Sequence, residues 1–229
     1  APRLLSENFN QNFIEIEDFG KKTLFDILKI KRSNKFKIYK RILVTLIKLQ
    51  NIKVKKIKNF KKKFYKIPIY SKSLLLEEVN LFFKWYVPHI FNKKKRFKIN
   101  SQLRKVISSL LKKIKLENNT FVHRDFHVSN LMLKKRVISV IDSQDAVYGN
   151  IAYDLASLID DVRLRTSKNM KEMIYKEYLY LNKKKINIKK FKNDFEILSV
   201  LRNLKIIGIF TRLANRDNKK QYLKLIPHA

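Results

Sequence analysis

Residues 121–149, FVHRDFHVSNLMLKKRVISVIDSQDAVYG, gather two histidines, three aspartates and an asparagine among short β-branched runs. The chain has only four histidines in 229 residues, so the concentration is local. Three runs here have strand character: 120–122, 130–133 and 137–141. The last two flank Lys134, Lys135 and Arg136 and fold back as a tight hairpin. Those turn residues are poor ones for that geometry, so the expectation rests on the apolar runs. A hairpin of this kind sets Asn130, at its start, beside Asp142, just past its end. Asp125 lies in the loop leading to the same place. Two carboxylates and one amide oxygen then converge on one point.

Carboxylate and amide oxygens are hard ligands, suited to Mg²⁺ carrying phosphate oxygens. A further aspartate, not spent on metal, orients a hydroxyl nucleophile and accepts its proton. Phosphoryl transfer asks little else of a protein than positioning and charge neutralisation. Zinc fits poorly, because the chain has no cysteine and His123 and His127 lack a recognisable ligand spacing.

Outward from this stretch the chain is mostly helical. Residues 12–18, NFIEIED, alternate as a half-buried strand does and stop at Gly20; 23–28 start a short helix. Apolar residues recur at helical spacing over 35–50, and over 74–87 up to Pro88. Further helices are expected over 101–116, 151–165, 169–182, 190–214 and 218–225. The aromatic stripe of 79–86 reads as core. The expected fold class is therefore α+β, mostly helical, with a short hairpin at the chemical site.

The net charge of +34 draws attention to polyanions. Yet 12 of the 53 basic residues are Arg, leaving 41 Lys, and the chain is rich in Ile, Asn, Phe and Tyr as well. Lys, Asn, Ile, Phe and Tyr share codons rich in A and T, so genomic drift accounts for the composition without nucleic-acid binding. The segment 53–67, KVKKIKNFKKKFYKI, interleaves Phe60, Phe64 and Tyr65 with lysines and is the best nucleic-acid candidate. A solvated helix face explains it more simply. No apolar run reaches membrane-span length, and the start is no signal peptide. A cytoplasmic protein without nucleic acid or membrane as partner is the expectation; oligomeric state leaves no signal.

HRDFHVSN, 123–130, has the form H-R-D-x-x-x-x-N, with a second aspartate following in IDSQ and a third in AYDLASL. The pattern resembles the aminoglycoside/choline phosphotransferases, small-molecule relatives of the protein kinases. Only eleven residues separate Asp142 from Asp154, too few for a peptide-binding activation segment. Along nearly the whole chain it is similar to one bacterial branch, the anomeric kinases of N-acetylmuramate and N-acetylglucosamine. FIEIEDFG, LLLEEVNLFFKWYV, DAVYG and LRNLKIIGIFTRL carry that likeness.

The resemblance implies ATP and Mg²⁺ as cofactors and a small sugar as acceptor. It makes Asp125 the catalytic base and Asn130 and Asp142 the metal ligands. Asp154, His123 and Arg124 would support the catalytic loop, and Glu17, Asp18 and Phe19 would form the hinge that meets adenine. Asp145 and Glu78 are candidates for holding sugar hydroxyls, weighed against ordinary surface or salt-bridged carboxylates. Residues 1–20 would be the hinge strand and connection from a missing N-terminal lobe, and 21–229 the helical C-terminal, catalytic lobe. On that expectation the 229 residues alone bind ATP weakly and turn over slowly or not at all. The rivals are another phosphotransferase of the same type and a non-enzymatic polyanion-binding remnant.

Overall fold

The computed structural model describes residues 1–30, 34–58, 61–134, 136–183 and 186–229. Phe60 and Lys135 lie outside them. An antiparallel ribbon opens the chain, β1 (Leu4–Asn8) with β2 (Phe13–Ile16). All four residues of β2 are exposed, so the alternation of 12–18 marks a strand that is not half-buried. Gly20 follows at φ +78°, a left-handed conformation that leads the chain away from the ribbon. Helix α1 (Leu24–Lys29) then starts on a reciprocal cap. The Asp26 amide donates to the Thr23 hydroxyl at 3.3 Å, and the Thr23 amide donates to the Asp26 carboxylate at 3.0 Å.

The asparagine-rich composition serves the helix starts. Asn34, Asn92 and Asn187 accept backbone N–H groups at the first turns of α2 (Lys35–Gln50), α5 (Lys93–Lys112) and α8 (Ile188–Asn215). Ser71 and Ser167 do the same for α3 (Lys72–Leu81) and α7 (Lys168–Asn182). Between α2 and α3 the segment expected as a helix face is instead a second exposed ribbon, β3 (Lys56–Lys58) with β4 (Phe64–Lys66). Lys56, Ile57 and Lys58 pair with Lys66, Tyr65 and Phe64 in a three-residue ladder whose residues are all exposed.

The helix over 74–87 does not end at Pro88. After α3 it widens into a π-helical turn, Phe82–Tyr86, and continues as α4 (Val87–Ile90) with Pro88 in its first turn. The wider turn relieves the clash a proline makes with the preceding helical carbonyls. Helix α5 begins at Lys93, earlier than its apolar spacing indicated, because the Asn92 cap fixes the start.

Two short sheets frame the central loop. Strand β5 (Thr120–Val122) pairs antiparallel with β8 (Val147–Gly149), and β6 (Leu131–Lys134) pairs with β7 (Val137–Val140) as the expected hairpin. A 3₁₀ turn, Val128–Asn130, leads into β6. Helix α6 (Tyr153–Ile159) is shorter than the apolar run over 151–165, and a closing 3₁₀ helix spans Lys220–His228. Helix α8 is the central pillar, packing against α3, the π turn, α6 and the closing 3₁₀ helix. Its Gly208 is required: a Cβ there would lie 2.4 Å from the backbone of Leu81 and Phe82. Among the described residues no helix is long and apolar enough to cross a membrane.

Candidate active site

The loop between β5 and β6 is fixed from beneath. Asp154, fully buried at the start of α6, accepts the backbone N–H of His123 at 2.7 Å and of Arg124 at 3.1 Å. Burial pushes its carboxyl up to about 7, against the lowering effect of those two donors. Arg124 adopts φ +72°, a strained conformation for a side chain with a Cβ, and the Asp154 clamp is what holds it. The turn that follows presents Asp125. His127 donates its amide to the Asp125 carbonyl at 3.0 Å, and Asn130 donates its own to the His127 carbonyl at 2.9 Å.

The hairpin brings Asn130 and Asp142 together. The Ile141 amide donates to the Asn130 carbonyl at 3.1 Å, extending the β6–β7 ladder to its open end. The Asn130 amide nitrogen donates to the Asp125 carbonyl at 3.1 Å and faces the Asp142 carboxylate at 3.5 Å. That leaves the amide oxygen for a ligand. Asp142 is exposed at φ +65° and accepts from Gln144 at 2.6 Å. His123 links the two halves: its Nε2 lies 3.0 Å from the Ile141 carbonyl. Burial lowers the His123 imidazole below its ordinary value, so it is neutral and the Nε2–H donates. Burial, with Arg163 close by, pulls His127 down to about 3. Neither histidine is a proton carrier near neutral pH.

Among the described residues no group of three or more His, Cys, Asp or Glu could hold a metal ion. A carboxylate and an amide oxygen still fit Mg²⁺, which retains waters and shares its shell with phosphate rather than needing a full protein cage.

The remaining candidates separate. Asp145 is exposed, and its backbone carbonyl accepts from Arg124 at 3.2 Å. Glu78 is buried, at 8 % exposure, and its carboxylate accepts from Tyr70, from Arg124 and, at 2.9 Å, from Lys205. Burial raises the Glu78 carboxyl, but Lys205, Tyr70 and Arg124 outweigh it and hold the group below its usual value. Both Glu78 oxygens thus have partners inside the protein. Glu17 is tied to Arg3 at 3.3 Å and to Lys134 at 3.2 Å. The Lys134 ammonium also donates to the Asp18 carbonyl at 2.8 Å and sits 5.5 Å from the Phe19 ring centre. One lysine of β6 thus fastens the whole 17–19 segment to the hairpin.

Several of these partners escape sequence reading. Lys134 looks like one lysine among 41, and Lys205 and Tyr70 like ordinary helix and loop residues. The only signal for Lys205 is a charge on the buried stripe of a helix.

Comparison with known proteins places this arrangement. The Phosphotransferase enzyme family model matches residues 39–184, more than half of the chain, and the chain belongs to that family. It is 33% identical over 166 residues to an N-acetylmuramate/N-acetylglucosamine kinase of Neisseria meningitidis, covering 70% of this chain and 50% of that protein. It is 26% identical to the protein of the same name in Pseudomonas aeruginosa, over 99% of this chain and 65% of the relative. The chain therefore spans between half and about two thirds of these relatives' lengths. An ethanolamine kinase of Plasmodium vivax shares the fold at TM-score 0.61 and 17% identity, over 100% of this chain and 66% of that one.

Proposed function

We propose that this chain is the acceptor-side, catalytic part of an ATP-dependent sugar kinase that phosphorylates the anomeric hydroxyl of N-acetylmuramate or N-acetylglucosamine. The observation carrying this reading is the meeting of Asn130 and Asp142 at the open end of the hairpin, beside the Asp125 loop. The printed names of the relatives supply the acceptor. Residues 1–20, with Glu17, Asp18 and Phe19, would be the hinge on the adenine side, and 21–229 the helical catalytic body. Bound at Asn130 and Asp142, Mg²⁺ would supply neutralisation of phosphate charge.

In this mechanism Asp125 accepts a hydrogen bond from the sugar hydroxyl and takes its proton as the oxygen attacks the γ-phosphorus. A new P–O bond to the sugar forms, the bond to the ADP oxygen breaks, and the products are sugar 1-phosphate and ADP. An anomeric hydroxyl is more acidic than an ordinary alcohol and demands less of its base. Asp154, His123 and Arg124 act through position alone, holding the loop in its strained conformation.

The test is acceptor profiling with the full gene product. With ATP and Mg²⁺, N-acetylmuramate and N-acetylglucosamine should each release ADP and give a sugar 1-phosphate in the ³¹P spectrum. Transfer to choline or to an aminoglycoside, with none to the amino sugars, would make it another phosphotransferase of the family. No transfer, with salt-sensitive binding to nucleic acid, would favour a polyanion-binding remnant.

A further inference from the structure

Lys205 is a buried ammonium, 7 % exposed, on the inward face of α8. Taking such a charge out of water costs several kcal/mol, so its partners have to account for it. It donates to Glu78 at 2.9 Å, yet Glu78 also carries Arg124 and the Tyr70 hydroxyl. Two cations share one carboxylate, which leaves the cluster one positive charge in excess. Asp125 is a further carboxylate within electrostatic reach of Lys205.

The backbone enforces this placement. Lys205 and Gly208 are three residues apart on α8, as Glu78 and Leu81 are on α3, so each pair shares a helix face. At Gly208 the two helices touch backbone to backbone, with only 2.4 Å left between an added Cβ and Leu81 or Phe82. One turn away, the same approach sets the Lys205–Glu78 contact. Glu78 is thus the common anchor of Arg124, the residue before Asp125, and of the buried cation on α8.

We propose that Lys205 is a positioning residue for the Asp125 loop: fixed by the close approach at Gly208, its ammonium holds the Glu78 carboxylate that anchors Arg124, the residue before Asp125. The proposal rests on the reading of Asp125 as the base. A purely structural role, tying α8 to α3, would affect stability without singling out the chemical step.

Two variants of the full gene product separate these roles: Lys205→Met, and the double variant Glu78→Gln with Lys205→Met. The double variant removes one charge of each sign, so it stands if the single variant fails to fold. With ATP, Mg²⁺ and N-acetylglucosamine, each folded variant should lose on the order of a hundredfold in kcat. The KM for ATP should stay within about twofold of wild type. Amide exchange of the 121–131 peptide should quicken in the double variant while α5 keeps its protection. Wild-type kcat in either variant would overturn the proposal. If the wild-type protein transfers no phosphate, the kinase reading falls, and exchange decides alone: unchanged protection of 121–131 in the double variant overturns the positioning role, and faster exchange supports it.

Discussion

Hairpins β3–β4 and β6–β7 are both short antiparallel pairs, and their surroundings make them opposites. In β6–β7, Leu131, Met132 and Val140 are at most 6 % exposed, because α1 and α2 lie against the strands. In β3–β4 every residue is exposed, and Phe64 stands 69 % in solvent. A two-stranded ribbon alone is marginal in water. The difference teaches that the hairpin carrying Asn130 and Asp142 is rigid because the helices hold it, not because its strands are strong.

That contrast is breakable. Leu131→Ala should cost about 2–5 kcal/mol in urea unfolding, whereas Phe64→Ala should stay within about 0.5 kcal/mol. Equal costs would mean that burial does not separate the two ribbons.

A smaller effect is expected one layer further in. Gly208→Ala places a methyl against backbone, which cannot swing aside as a flexible side chain would. Overpacking there should cost about 1–3 kcal/mol, measured by thermal or urea denaturation. An unchanged stability would show that α3 and α8 are free to part.

The buried loop also sets a pH dependence that the exposed ribbon lacks. His127 titrates near 3 in the folded chain, against about 6.5 in an unfolded one. The folded state therefore binds fewer protons between these values. This contribution to stability is complete above about pH 6.5 and is lost as pH falls toward 3. Asp154, raised to about 7, runs the opposite way: its contribution is complete below about pH 4 and fades as pH rises through 7. Comparing wild type with His127→Gln cancels Asp154. The stability lost between pH 7 and pH 4.5 should be smaller in the variant. An identical loss would remove His127 from the account.

Least affected should be stability at the seam between the first ribbon and the site. Lys134→Met removes a partly exposed, solvent-screened ion pair and should leave the unfolding midpoint near wild type. It should nevertheless quicken amide exchange over 17–20, because Lys134 joins both the Glu17 side chain and the Asp18 carbonyl to β6. Unchanged exchange there would show that the segment is held by other contacts.

Much of this molecule is legible in its residues, but unevenly. The hairpin of 131–140, and with it the meeting of Asn130 and Asp142, follows from two apolar runs separated by three basic residues. The helices follow from periodicity, but the start of α5 did not, because the Asn92 cap and not an apolar residue sets it. Strand β8 was not legible, because Val147–Gly149 is too short for any period and is set by its pairing with β5 and by the backbone of Pro68 and Tyr70. The π turn before Pro88 was not legible either, because a proline reads as a helix stop and not as a turn the helix can widen to pass. The apolar alternation of β2 gave the right element and the wrong burial, since alternation reports a pairing geometry and not what covers it. Glu78 was visible as a carboxylate on a helix, but its use depends on Tyr70 nearby and on Arg124 and Lys205, which the sequence keeps far away.

The most direct test of the account is phosphate transfer by the full gene product with Asp125→Asn, a change that keeps the size of the side chain and removes its capacity as a base. With ATP, Mg²⁺ and N-acetylglucosamine, kcat should fall on the order of 10²–10⁴-fold while the melting temperature stays near wild type. A folded Asp125→Asn protein that forms sugar phosphate at the wild-type rate would contradict the central claim.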